Sequence, residues 1–122
     1  MILVIEDDEM MRDLLKTFLT MDGHEVMCVR DGIEGVNAYK AHSGAIRLVI
    51  TDFAMPNLNG AETYRQIQTI NPAAKVIMIS GNLDTRTERQ LHREGIQHFM
   101  HKPFRPEEIV AKVKEVMGDT GN

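Results

Sequence analysis

The chain has 122 residues, of which 43% are hydrophobic and 26% charged, and a formal net charge of −4. That length gives one domain with a real buried core, and the acidic balance excludes the basic footprint of a direct nucleic-acid binder. One cysteine, Cys28, leaves no internal disulfide, no run reaches transmembrane length, and the opening Met1-Ile2-Leu3-Val4-Ile5-Glu6-Asp7 lacks the charge and apolar length of a signal peptide, so a cytoplasmic protein without a membrane partner is expected.

Short apolar runs alternate with helical patterns along the whole chain. Ile2–Ile5 reads as a buried strand, and Met11, Leu14, Leu15, Phe18 and Leu19 then recur at helical spacing up to Gly23. Val26–Val29 reads as a second strand, and Asp31 caps a helix reaching about Ala41. Leu48-Val49-Ile50 is a third strand. The breaker-rich 55–60 stretch follows, and Asn59 with Glu62 has capping-box spacing for a helix closed by Asn71-Pro72. Residues 76–79 form a fourth strand, 83–93 a weakly amphipathic helix ended by Gly95, and 97–101 a fifth strand. Pro106 starts the last helix, with Ile109, Val113, Val116 and Met117 as its apolar stripe. Five β-α units with strands apolar on both faces predict a doubly wound, three-layer α/β sandwich around a five-stranded parallel sheet. The domain spans 1–117, and 118–122 reads as a flexible tail.

In such sheets ligands bind beyond the carboxyl ends of the strands. The first strand ends in Glu6-Asp7-Asp8, the third in Thr51-Asp52, the fourth in Ser80-Gly81 and the fifth in Lys102-Pro103. Carboxylates, a hydroxyl and an ammonium thus converge on one rim. Clustered carboxylates repel unless a cation neutralises them. An all-oxygen set with few acids suits Mg²⁺, and a carboxylate can serve as nucleophile in phosphoryl transfer.

Four segments carry a family resemblance: Ile2-Leu3-Val4-Ile5-Glu6-Asp7-Asp8-Glu9, the stretch from Thr51-Asp52 to Asn59-Gly60, Val76-Ile77-Met78-Ile79-Ser80-Gly81, and His101-Lys102-Pro103-Phe104. In this order and spacing they resemble the signature segments of response-regulator receiver domains. The resemblance implies a flavodoxin-like (βα)5 fold with strand order 2-1-3-4-5 and a role in a two-component or phosphorelay system, as a signalling switch rather than an enzyme acting on other substrates. It implies that Asp52 accepts a phosphoryl group and that Glu6, Asp7, Asp52 and the backbone carbonyl of Ala54 hold Mg²⁺. Lys102 would contact the phosphoryl group and precede a cis proline, and Ser80 and Phe99 would act as switch residues. The implied phosphodonor is a histidine kinase or histidine phosphotransfer protein. The implied output face is the fourth helix, fifth strand and fifth helix, also a candidate homodimer surface.

Departures from the family pattern are few. Asn59 stands where Asp is common, Gly81 replaces a commoner Ala, and Phe99 has no hydroxyl. Gln97-His98 replaces the two acids often found in receivers of winged-helix regulators, and 62–72 with Ser80-Gly81 is similar to receivers appended to hybrid sensor kinases. An excised domain of a longer chain is therefore one expectation. Rival readings are a pseudo-receiver signalling without phosphate, an aspartate-nucleophile phosphatase, which Ala54 argues against because a second Asp belongs there, and a flavodoxin-like cofactor binder, for which no glycine-rich loop follows the first strand. Cys28 reads as a buried thiol, and the nine Met residues as core filler. His24, His42 and His92 read as exposed. His98 and His101 fall on opposite strand faces and cannot share a metal. Asp8 reads as a helix cap. Arg86, Arg89 and Arg93 are either a solvated face or part of the output surface.

Overall fold

The computed structural model describes residues 1–118; of the predicted tail, 119–122 lie outside the described residues. Five strands and five helices alternate: β1 (Ile2–Ile5), α1 (Glu9–Met21), β2 (Val26–Val29), α2 (Gly32–His42), β3 (Leu48–Asp52), α3 (Gly60–Ile70), β4 (Val76–Ser80), α4 (Thr85–Glu94), β5 (His98–His101) and α5 (Pro106–Met117). All neighbouring strands are parallel, in the order β2-β1-β3-β4-β5. This is the predicted doubly wound, flavodoxin-like arrangement.

The two-residue period of each strand divides the core. Leu3, Ile5, Val49, Val76 and Met78 meet Tyr39, Tyr64, Ile67 and Leu91 of α2, α3 and α4 on one side of the sheet. Ile2, Val4, Ile50, Ile77 and Ile79 meet Leu15, Leu19, Ile109 and Val113 of α1 and α5 on the other. β1, β3 and β4 are buried along their whole length, which explains their unbroken apolar runs.

Caps set the helix starts. Asp8 accepts from the N–H groups of Met10 and Met11, Asp31 from Glu34, and Asn59 forms the predicted capping box with Glu62. Helix α4 begins two residues later than the sequence pattern suggests. Asp84 accepts from Thr87 N–H at 2.7 Å and so takes the cap. β3 and β4 run on to Asp52 and Ser80, and β5 starts at His98 rather than residue 97. Three burial expectations need correction. Cys28 is only half-buried, because β2 is an edge strand. His24 is half-buried against Asp22, 3.4 Å away. Met10 and Met21 lie exposed on α1 instead of filling the core.

Candidate functional site

Because every strand runs the same way, all the strand-end residues arrive at one edge of the sheet. Glu6 follows the last residue of β1 and is 1% exposed; Asp52 ends β3 and is 6% exposed. Asp7 stands in the open turn after Glu6. Carboxylate oxygens of Glu6, Asp7 and Asp52 all lie within 4.8 Å of one another. Lys102, carried in from beyond β5, places Nζ 3.3 Å from Asp52 Oδ2 and 3.6 Å from Glu6 Oε1. The Lys102–Pro103 peptide is cis, as expected, and Lys102 N–H donates to the Ser80 carbonyl at 2.7 Å. That bond ties the ends of β4 and β5 together.

The turn after Asp52 is shaped by a close approach. Phe53 N–H donates to Ile79 O, and Gly60 N–H returns to Phe53 O at 2.7 Å. A Cβ on Gly60 would stand 2.5 Å from the Asp52 carbonyl oxygen and 2.7 Å from the Met78 sulfur, so only glycine fits. In the loop between, Ala54 is exposed.

The site holds strong fields. Burial, with the charge of Asp52 adding to it, pushes the Glu6 carboxyl up to about 7, against the lowering effect of Asp8 N–H and Lys102. For Lys102 burial works to lower the pKa, but the carboxylates of Glu6 and Asp52 outweigh it and the net shift is upward. Glu6 Oε1 and Ser80 Oγ are buried and have no hydrogen-bond partner among the described residues. Unpaired buried polar atoms are costly. Glu6 Oε1 belongs to the acid cluster, where a hard cation would satisfy it, and Ser80 Oγ lies at the end of the adjacent β4. The donor set of three carboxylates fits Mg²⁺, which takes few carboxylates and keeps several waters.

Of the site residues predicted from the sequence, Glu6, Asp7, Asp52 and Lys102 meet at this rim, and Ser80 ends the neighbouring strand β4. Phe99 sits half-buried on β5, packed on the side of the sheet that α2, α3 and α4 cover. It lines a groove with Glu88, Arg89, His92 and Arg93 of α4. Asp8 is the helix cap and not a ligand in the acid cluster. One residue was passed over in the sequence. Arg12 Nη1 donates to the Glu6 carbonyl at 2.9 Å. A cation this close to a helix N-terminus opposes the dipole, and that misplacement was the available signal.

Comparison with known proteins agrees with this geometry. The family description "Response regulator receiver domain" matches residues 2–114. The chain is 32% identical over 116 residues to the chemotaxis protein CheY of Thermotoga maritima, covering 94% of this chain and 95% of that protein. Among solved structures, a response regulator receiver domain protein from Clostridium thermocellum superposes with a TM-score of 0.90 at 29% identity, covering 97% of this chain and 94% of that one. The CheY in a CheX–CheY–BeF3–Mg complex from Borrelia burgdorferi gives 0.89 at 27% identity, covering 94% and 87%. The chain also matches several transcriptional regulatory proteins, of which it spans about half the length. The sequence match over nearly the whole chain and the shared fold agree, and the chain belongs to the response-regulator receiver domains of two-component signalling.

Proposed function

We propose that Asp52 accepts a phosphoryl group from a phosphohistidine and that the acceptor state is read at the face of α4, β5 and α5. The observation that carries this reading is Asp52 itself: a nearly buried carboxylate 3.3 Å from a lysine ammonium and clustered with the carboxylates of Glu6 and Asp7. An Asp52 oxygen attacks phosphorus, a P–O bond forms, the P–N bond to imidazole breaks, and the imidazole leaves with its electron pair and takes up a proton. Lys102 holds the oxygens of the transferred group by charge, and Ser80 Oγ donates a hydrogen bond to one of them. Glu6, Asp7, Asp52 and the Ala54 carbonyl are the residues that would hold Mg²⁺, which supplies neutralisation of the phosphoryl charge. The protein thereby promotes its own phosphorylation and dephosphorylation, acting as a switch.

The donor is a histidine kinase or histidine phosphotransfer protein. Capture of Ser80 by the phosphoryl group frees space into which Phe99 turns, biasing a pre-existing equilibrium of α4. The same face is where a second copy would pair. The unit that carries this function is 1–117. The likeness to a CheY studied with BeF3 and Mg supports the reading.

Incubation with Mg²⁺ and acetyl phosphate, followed by intact mass, should add one phosphoryl group to wild type and none to Asp52→Asn. An unmodified wild type, or an equal adduct in the variant, would refute the assignment. Ser80→Ala should still be phosphorylated but should lose the amide shifts along 85–101 that accompany it.

A further inference from the structure

Arg12 has a side-chain geometry that neither packing nor charge pairing explains. It stands in α1, where its own N–H is already satisfied by the Asp8 carbonyl. Its side chain is half-buried, and Nη1 reaches back six residues to the carbonyl oxygen of Glu6, 2.9 Å away. The chain it spans contains Glu6, Asp7 and Asp8, and Glu34 of α2 also feels its charge. Yet Arg12 forms no ion pair among the described residues. A guanidinium among carboxylates that directs its bond to a main-chain oxygen is orienting a peptide group.

That peptide joins Glu6 to Asp7. On the far side of the same turn, Asp8 N–H donates to Glu6 Oε2 at 3.1 Å. The two bonds together fix the plane of the Glu6–Asp7 peptide and the direction in which both side chains leave it. Without Arg12 the turn keeps only the Asp8 bond, and rotation of the peptide carries Asp7 away from Glu6 and Asp52. Partners of this kind, bound to the ligand-bearing chain and not to the ion, commonly govern metal affinity.

We infer that Arg12 is a positioning residue, bracing the Glu6–Asp7 peptide so that the acids at the end of β1 are pre-organised for a divalent cation. The inference rests on the proposed Mg²⁺ site. Its sign separates it from electrostatics: deleting a positive charge beside a cation site should tighten binding, whereas deleting a brace should weaken it.

The experiment is a Mg²⁺ titration of the metal-free protein at fixed ionic strength, followed by backbone amide resonances. Arg12→Met and Arg12→Gln both remove the charge and cannot span the distance, so either one that folds decides the question. Each should weaken Mg²⁺ by about tenfold, and Arg12→Lys, which keeps a donor of nearly the same reach, should fall closer to wild type. In metal-free Arg12→Met the Asp7 amide should shift while those of α5 stay in place. Equal or tighter Mg²⁺ binding by the Met or Gln variant overturns the bracing role alone. A wild type without saturable Mg²⁺ shifts overturns the Mg²⁺ site as well.

Discussion

Glu6 is a carboxylate whose surroundings favour its neutral form. Folding lifts its pKa from 4.5 to about 7, first through burial and then through Asp52. Below pH 4.5 both folded and unfolded states are protonated and nothing is lost. As pH rises from 4.5 to 7 the unfolded chain releases a proton that the fold retains, so stability falls, and above 7 the loss is complete. The cost is on the order of 3 kcal/mol. Glu6→Gln should therefore match wild type at pH 4 but melt several degrees higher at pH 8 in chelator. Equal melting temperatures at pH 8 would contradict this. Gly81 offers a second residue-scale test. A Cβ there meets only Lys102 carbons, at 3.7 and 3.9 Å, which is ordinary contact. Gly81→Ala should stabilise by about 0.4–1 kcal/mol by restricting the unfolded chain, measurable by denaturant titration. Both acids of the first strand end and Asp52 were legible from the sequence, because strand ends are local features. The retained proton on Glu6 was not, because it depends on burial by the assembled sheet and on Asp52 arriving from another strand.

Helix α4 is fastened unequally. At its C-terminal end Arg65 of α3 grips Glu94 with two hydrogen bonds of 2.7 and 2.9 Å, Gln90 adds one, and Tyr64 and Gln68 donate to the Glu94 carbonyl. Toward its N-terminal end the side-chain tie to β5 is a single contact, His101 Nε2 to Glu88 Oε1 at 2.9 Å. Arg65 first, then Gln90, holds the Glu94 carboxyl down to about 2. A lowered carboxylate stabilises the fold above pH 4.5 and loses that contribution as pH falls from 4.5 toward 2. Arg65→Ala should cost up to about 1 kcal/mol at pH 7, the ordinary range for a partly exposed pair, and nothing below pH 2. The helix closes on Gly95 at φ +126, and a Cβ there would collide with the Tyr64 hydroxyl oxygen. Gly95→Ala should destabilise by at least about 1 kcal/mol, and a double-mutant cycle should return part of that in Tyr64→Phe. A cycle with no coupling would show that backbone strain alone is responsible. The glycine stop was readable from the sequence, but the α3 clamp was not: nothing in local pattern says that Arg65 and Glu94, 29 residues apart, share a surface.

The molecule as a whole concentrates three carboxylates at one end of a chain whose net charge is already −4. A cation that binds only the folded form should raise stability by about 2.7 kcal/mol at a hundredfold excess over its dissociation constant. Magnesium should therefore raise the melting temperature more at pH 8 than at pH 5, since binding must displace the Glu6 proton, and Asp7→Asn should abolish the effect. Sequence by itself determined the five β-α units, their parallel pairing, the acid–lysine rim and the family, because hydrophobic period, caps, strand ends and short motifs are written in neighbouring residues. Phe99, too, was placed correctly on β5. Only tertiary structure decided what meets across elements: the half-exposure of Cys28 on an edge strand, His24 against Asp22, the clamp on Glu94, the tie from His101 to Glu88, and Arg12 on the Glu6 carbonyl. Those contacts follow from how helices settle on a twisted sheet, and side-chain reach between elements leaves no periodic trace in the chain.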